Sequence, residues 1–558
     1  MKYLSLIVLL FGFKLSFGML TTNPDSIRGA LRPERNCFDI TYYDLEVAID
    51  PDEKRIVGKN DIYFTCLETA KTIQIDLFNS YEVKTLQLFA PIDSTGLSEL
   101  ISASYKKIEN ALFISFADSI IEERDYKLTI SYSGVPNVAK KAPWDGGFVW
   151  GKDSLDRHFC GVACEGWGAS SWWPCKDHLS DEPDSMKLTF TVPNGYDCIS
   201  NGKLVKRNKI QELGEDSLIF ERFTWKVSYP INTYNVTFYL GKFKKIEEWY
   251  VSGGDSLKTE FYALDYNYKK AKNHFEQVAP MLRVYEDLFG KYPFWNDGYK
   301  LVEAPYLGME HQSAIAYGNE YNKGYMGHHP EGIEFDYIII HETGHEYWGN
   351  SVSMDDIADM WIHEGFCTYT EVLYVEKLYG YDASINYLKS QRNFKNDKPI
   401  IGSYSINEEG SGDMYNKGSW ILHTIRNYIS NDSLWFATLK QFHFDFKISN
   451  TNTQEVLKWF ELKLGKDVSN LMSRYLNKSS IPILQYQKKI FLWKKSIKFQ
   501  WKEEGVDFKL PIEVNGEVVI PTNDWKKIRV KKLKKLREQF NWKFAAYDIE
   551  EFGVEKEE

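Results

Sequence analysis

The sequence predicts a multidomain α+β chain: an N-terminal antiparallel β-sandwich-like domain, a mostly helical middle domain and a small C-terminal β domain. Two observations carry this expectation. Apolar residues alternate with polar ones through most of the first 245 residues and again after Ile481, whereas between those stretches they recur at helical spacing. The length, 558 residues, also exceeds what a single hydrophobic core organises.

The chain opens on "MKYLSLIVLLFGFKLSFGML", in which Lys2 precedes the apolar run Tyr3 to Phe13 and Ser16-Phe17-Gly18 offers a small-x-small cleavage site. That is the pattern of an export signal over residues 1–18. The run is short for a bilayer span and Lys14 interrupts it, so stable membrane insertion is not expected. The protein is expected to be exported, either secreted or periplasmic. Across 19–245, "FDITYYDLEVAID", "PDEKRIVGKNDIYFTC", "MKLTFTVPNG" and "TYNVTFYLGKF" alternate and are broken by Pro, Gly, Asn and Asp, as short sandwich strands are.

Within 246–480, Lys269 to Phe294 has helical spacing, with Gly290 and Pro293 as its stop. "EFDYIIIHETGHEYWGN", "MWIHEGFCTYTEVLYVEKLYG" and "NKGSWILHTIRNYIS" continue the helical style after one strand-like piece, "GYKLVEAPYLGMEHQSAIAY". Across 481–558 alternation returns, and Asn515-Gly516 between apolar runs is a hairpin signal. The basic stretch from Lys526 to Phe540 is followed by acidic residues and reads as a solvated face.

Composition narrows the function. The hydrophobic share, 43%, is that of an ordinary folded protein, and the aromatic share of 16% suits sheets and wide clefts. A net charge of −10 argues against nucleic acid as a partner. The seven cysteines (Cys37, Cys66, Cys160, Cys164, Cys175, Cys198, Cys367) include no C-x-x-C pair, so a cysteine metal knuckle is not expected. Export would permit disulfides, and buried free thiols fit equally well.

The chemistry concentrates in "HETGHEYWGN", His341 to Asn350. His341 and His345 are four apart, which puts both imidazoles on one helix face. That spacing suits one Zn²⁺, with Glu342 beside it as a general base. A solvent-facing polar helix is the competing reading, but Ile338, Ile339 and Ile340 just before His341 indicate burial. Buried imidazoles need partners. Glu364, in "WIHEGF" on the next helical stretch, is a candidate third ligand.

H-E-x-x-H, eighteen residues, then E resembles the M1 family of zinc aminopeptidases, a branch of the glutamate-zincins. The family's G-x-M-E-N stretch is matched by "LGMEH", where Leu307 and His311 depart from the pattern and Met309 and Glu310 keep it. Its Y-x-K-G stretch is matched by "YNKG" at Tyr415 to Gly418, and "CEGWGASSWWPCKD" puts Glu165 where the family has a substrate-binding Gln or Glu.

The resemblance implies a thermolysin-like catalytic domain and one Zn²⁺ per chain held by His341, His345 and Glu364. It further implies Glu342 as general base, Tyr415 as oxyanion donor, and Glu165 with Glu310 as the clamp for a free α-ammonium. Gly308 and Met309 complete the substrate-binding set, Gly308 by letting substrate backbone come close. Glu371, seven residues after Glu364, shares its helix face and is expected either to orient a ligand histidine or to form an external salt bridge. His311, His328, His329 and His363 are read as structural or subsite residues.

The function implied is removal of N-terminal residues from peptides with a free N-terminus, by a monomer. One family branch shares this site with a leukotriene-A4-hydrolase-like epoxide hydrolase. An inactive zincin scaffold serving as a binding protein is the reading from a different class.

Overall fold

The computed structural model describes residues 24–90, 99–211, 219–491, 494–503, 508–514, 517–529, 540–541 and 543–556. The export signal expected over 1–18, the Asn515-Gly516 turn and most of the basic run after Arg529 lie outside the described residues. No helix among the described residues is long and apolar enough to cross a membrane.

An N-terminal β-rich domain, a helical catalytic domain and a C-terminal β region follow one another. In the first, an eight-stranded sheet has the order Lys203–Gln211, Ile219–Val227, Ser185–Pro193, Phe38–Asp50, Arg55–Cys66, Asp125–Gly134, Tyr81–Phe89, Leu100–Ile101. Alternation along Phe38–Asp50 puts Phe38, Ile40, Tyr43, Leu45, Val47 and Ile49 into a core shared with a four-stranded and a three-stranded sheet. The domain is not purely antiparallel. Phe38–Asp50 lies parallel to Ser185–Pro193, from Tyr42 opposite Ser185 to Ala48 opposite Thr191. Those strands are far apart in sequence, so no tight turn dictates their direction. All seven cysteines are buried and free.

A five-stranded sheet begins the catalytic unit, in the order Phe243–Ser252, Asp255–Leu264, Tyr299–Glu303, Ile315–Tyr317, Gly308–Met309. Its first strand carries the chain across residue 245, and its last is the short edge strand of the "LGMEH" stretch. The helix Val278–Phe289 ends where Gly290 takes a φ of 106°, the C-terminal glycine its sequence announced. Four further helices build the site: α1 (Tyr337–His345), α2 (Trp361–Tyr379), α3 (Tyr381–Ser390) and α4 (Asn416–Ile429).

The C-terminal region pairs Ile483–Phe491 with Lys494–Trp501 and, in parallel, with Asp548–Lys556. Its Leu484, Tyr486, Trp501 and Tyr547 share one core with the catalytic helices. Tyr475 also donates from its hydroxyl to the Ala546 carbonyl at 2.6 Å.

Glu182 sits where the first domain meets the second. Burial pushes its carboxyl up to about 7, and the polar side chains of Ser353 and Asn232 nearby pull the other way. In the unfolded chain a glutamate releases its proton near about 4.3. The folded form therefore holds this proton more tightly, and its contribution to stability is full below about pH 4.3 and lost as pH rises through about 7. Glu182→Gln should gain stability relative to the parent across that window, on the order of 1–3 kcal/mol by about pH 8. Denaturant melts at about pH 5 and about pH 8 measure it; a gap that narrows as pH rises would contradict this account.

Candidate active site

α1 is only nine residues long and rests on its N-terminal cap. The Asp336 carboxylate accepts from the backbone N–H of Ile338 at 2.9 Å and of Ile339 at 3.4 Å. It also accepts from Tyr317 at 2.6 Å and Asn319 at 2.9 Å, and meets His274 at 2.7 Å. A carboxylate at this end is favoured by the helix dipole, and the ring of donors fixes where the helix starts.

Glycines then bring α1, α2 and α4 together. A Cβ on Gly344 of α1 would stand 2.8 Å from the Cys367 sulfur of α2. A Cβ on Gly418 of α4 would stand 2.7 Å from the Gly365 Cα of α2. Both distances are below what real side chains tolerate, so bare backbones are what allow the helices this close. The second contact holds Tyr415, at the start of α4, against the turn that carries Glu364. Lys417 between them is buried and donates to the carbonyls of Lys478 and Ser479 at 3.0 and 2.7 Å.

The consequence is a cluster of acceptors. His341 Nε2 and His345 Nε2 are 3.2 Å apart. Glu364 Oε2 lies 3.5 Å from the first and 3.4 Å from the second. His341 Nδ1 meets Glu371 Oε1 at 2.7 Å and His345 Nδ1 meets the Trp348 carbonyl at 2.9 Å. Both partners only accept, so each neutral imidazole carries its proton on Nδ1 and turns a bare lone pair inward. Glu364 Oε2 is buried without a hydrogen-bond partner.

Three acceptors facing one another without a donor need a cation. Ligands at about 2.0–2.1 Å in a tetrahedral array stand about 3.3–3.5 Å apart, which is the spacing found here. The residues therefore fit zinc. Cys367 also lies within 4.8 Å of both imidazoles, but its thiol is turned to the His341 carbonyl at 2.9 Å.

All nine residues picked from the sequence line one cleft of about 460 Å³: Glu165, Gly308, Met309, Glu310, His341, Glu342, His345, Glu364 and Tyr415. Burial pushes the Glu342 carboxyl up to about 7, and the imidazoles beside it pull the other way. Burial and the Glu364 carboxylate hold the Tyr415 phenol well above its ordinary value, so the hydroxyl keeps its proton. Glu310 is buried and accepts from the Tyr234 hydroxyl at 3.1 Å. One Glu165 oxygen is shielded from solvent and unpartnered, and burial with the neighbouring Glu310 raises its carboxyl well above the usual range.

Gly308 owes its bareness to the protein itself. A Cβ there would meet Ile338 at 2.7 Å and Glu342 Oε1 at 2.8 Å, so the edge strand lies directly on α1. Gly308 also lines the cleft, so the same bare backbone faces both the helix and the site.

Glu371 takes the place expected of it, and its other oxygen accepts from Tyr387 of α3 at 2.6 Å. His363 is neutral, pulled down to about 3 by burial, and accepts from the Met354 N–H at 3.0 Å. His311 is buried beside Tyr239, and His328 and His329 are exposed.

Three lining or supporting residues escaped the sequence reading. Asn350 donates to the Glu310 carbonyl at 2.7 Å and to Glu346 at 3.2 Å, tying the end of "HETGHEYWGN" to the "GMEH" strand. Tyr234 holds Glu310, and Glu409 lines the cleft. Only Glu409 left a trace, in the glycine-rich run just before Tyr415.

A His-His-Glu zinc cradle on two crossing helices, with a carboxylate and a phenol in the same cleft, defines a glutamate-zincin. The chain belongs to peptidase family M1: the Peptidase family M1 domain matches residues 273–475 and the Peptidase M1 N-terminal domain matches residues 40–234. Over 476 residues it is 23% identical to endoplasmic reticulum aminopeptidase 1 of Rattus norvegicus, covering 78% of this chain and 48% of that relative. Over 480 residues it is 24% identical to aminopeptidase A of Gloydius brevicauda, covering 81% and 47%.

The chain thus spans about half the length of these curated relatives. Its fold matches the crystal structure of an M1 zinc metallopeptidase from Deinococcus radiodurans with a TM-score of 0.65 at 19% identity, over 80% of this chain and 94% of that one.

The acceptor cluster sets a test in metal content. Glu364→Ala removes one of three inward acceptors and should lower zinc occupancy by well over tenfold. Glu342→Gln leaves all three and should keep zinc at one per chain. Metal analysis of the two purified variants decides it, and equal zinc in both would remove Glu364 from the ligand set.

Proposed function

We propose that this protein is a zinc aminopeptidase that removes N-terminal residues from peptides bearing a free amino group. One observation carries the reading. A carboxylate oxygen of Glu310, one of Glu342 and a ring nitrogen of His345 lie within 4.8 Å of one another. A group suited to an ammonium thus stands within one residue's reach of the base and the metal cradle.

When bound, zinc supplies Lewis acidity, polarising the peptide carbonyl and bringing the pKa of water toward about 7. His341, His345 and Glu364 would hold the ion, and Glu371 with the Trp348 carbonyl keeps the two imidazoles aimed. Glu342 takes the proton of the attacking water and passes it to the leaving amine; a carboxyl whose pKa is near neutrality serves both steps.

Tyr415, with its hydroxyl protonated, donates to the oxygen on which negative charge develops. Glu165 and Glu310 accept from the substrate ammonium, which gives the unpartnered Glu165 oxygen a donor. Two intact proton-handling groups, Glu342 and Tyr415, favour an enzyme over a binding scaffold.

Tyr415→Phe removes one hydroxyl and should lower kcat by about 10²–10³ with little change in KM and full zinc. An unchanged kcat would return Tyr415 to packing.

The amine clamp is tested by one peptide assayed with and without an N-acetyl cap. Capping removes the cation from which Glu165 and Glu310 would accept and puts an acyl group in its place, so hydrolysis should fall by orders of magnitude. Equal rates on the two peptides would make the protein an endopeptidase.

A further inference from the structure

The loop that carries Glu165 is not held by its own domain alone. Its Gly166 carbonyl points outward and accepts from the Arg28 guanidinium, through Nη1, at 2.8 Å, and from Asn407 Nδ2 at 3.4 Å. Arg28 belongs to the segment Pro24–Gly29 near the start of the described chain, and Asn407 to the catalytic domain. One carbonyl, next to a residue of the amine clamp, is therefore gripped from two distant parts of the sequence.

The segment itself is fixed at both ends of this contact. Arg28 Nε lies 3.5 Å from Asp177 Oδ2, which also accepts from the Ser170 hydroxyl at 2.6 Å and the Ser170 N–H at 3.1 Å. The Cα of Gly168 presses on this pair, since a Cβ there would fall 2.2 Å from Asp177 Oδ2 and 2.4 Å from Arg28 Nη2. Gly29 is wedged against the catalytic domain, with a Cβ position 2.3 Å from the Ile406 carbonyl carbon. A few residues on, Arg35 is fully buried, bonds Asp76, and caps the Arg28 and Ala30 carbonyls.

Behind Glu165 these parts border a small hollow of about 30 Å³, lined among others by Arg28, Gly29, Glu165, Tyr234 and Asn407. Tyr234 is the residue that donates to Glu310. The segment thus backs both arms of the clamp without entering the cleft, and neither Arg28 nor Gly29 lines it.

We infer that Arg28 is a positioning residue for Glu165: the segment Pro24–Asn36 straps the Glu165–Gly166 loop to the catalytic domain and so sets how tightly the free amine of a substrate is held. A guanidinium suits the task because its planar fork reaches a carbonyl and a carboxylate together, which a lysine ammonium does less well. A displacement of the loop moves one carboxylate relative to the other, and an ammonium shared between two carboxylates is sensitive to their spacing. The chemistry at Glu342 and Tyr415 is left alone. The inference rests on the aminopeptidase reading of the cleft.

The test is a double-mutant cycle on full-length, zinc-loaded protein with an aminoacyl anilide whose amine is free. Arg28→Ala should raise KM about tenfold, the effect of one charge-assisted hydrogen bond, with kcat within about twofold. Arg28→Lys should recover part of it. Glu165→Gln should raise KM by itself, and adding Arg28→Ala to it should cost little more, because the strap then has no carboxylate to aim.

Additive penalties, or a loss of kcat and melting temperature at unchanged KM, would overturn the inference by making Arg28 a structural residue only. Should Arg28→Ala not fold, Asn407→Ala loosens the same carbonyl from the other side, and an unchanged KM there would overturn it equally. A Glu165→Gln variant with parental KM would instead locate the failure in the amine-clamp reading.

Discussion

Two imidazole lone pairs and a carboxylate oxygen are held 3.2–3.5 Å from one another in the interior, and each of the three only accepts. Left without a cation, such a group is among the costlier things a fold can bury. Its persistence has to be built into the surroundings. Asp336 sets the start of α1, Glu371 and the Trp348 carbonyl fix the imidazole tautomers, and Tyr387 holds Glu371 from α3. Each of these bonds leaves the next group one acceptable orientation, so the metal cradle is the end of a chain of satisfied hydrogen bonds.

Helix spacing is the second condition. α1 meets α2 at Gly344, and α2 meets α4 where Gly365 and Gly418 touch backbone to backbone. The glycine of "YNKG" is therefore a packing residue whose value is expressed at Tyr415, three positions earlier. Gly308 plays the same part between the edge strand and α1, and its neighbour Glu342 occupies the space its missing side chain leaves. Motifs that read as chemical signatures thus mix reactive groups with the small residues that let them converge.

The cleft is shared work between domains. The Glu165 loop and Tyr234 come from the β-rich domain, Glu310 directly follows the edge strand Gly308–Met309, Glu342 lies on α1 and Tyr415 caps α4. Asn350 spans the joint by donating to the Glu310 carbonyl while accepting from Asn235 at 2.8 Å. A cleft whose reactive groups come from different domains needs such cross-bracing, because their spacing is set between domains and not within one.

Much of this was legible in the residues. The four-residue spacing of His341 and His345 determines by itself that both imidazoles leave one face of a helix, and alternation in "FDITYYDLEVAID" determines which side chains enter a sheet core. Gly290 ends its helix in the position its sequence announced. These are local rules, fixed by backbone geometry over a few residues.

What the tertiary structure alone decided are the pairings between distant faces. They include the parallel register of Tyr42 with Ser185, Asn350 on the Glu310 carbonyl, and Arg28 on Gly166. It also decided that the space beside Gly308 belongs to Glu342. Periodicity says which side of an element is apolar or polar, but many surfaces share the same period. Which two meet is settled only when the whole chain packs and every buried donor and acceptor has found its partner.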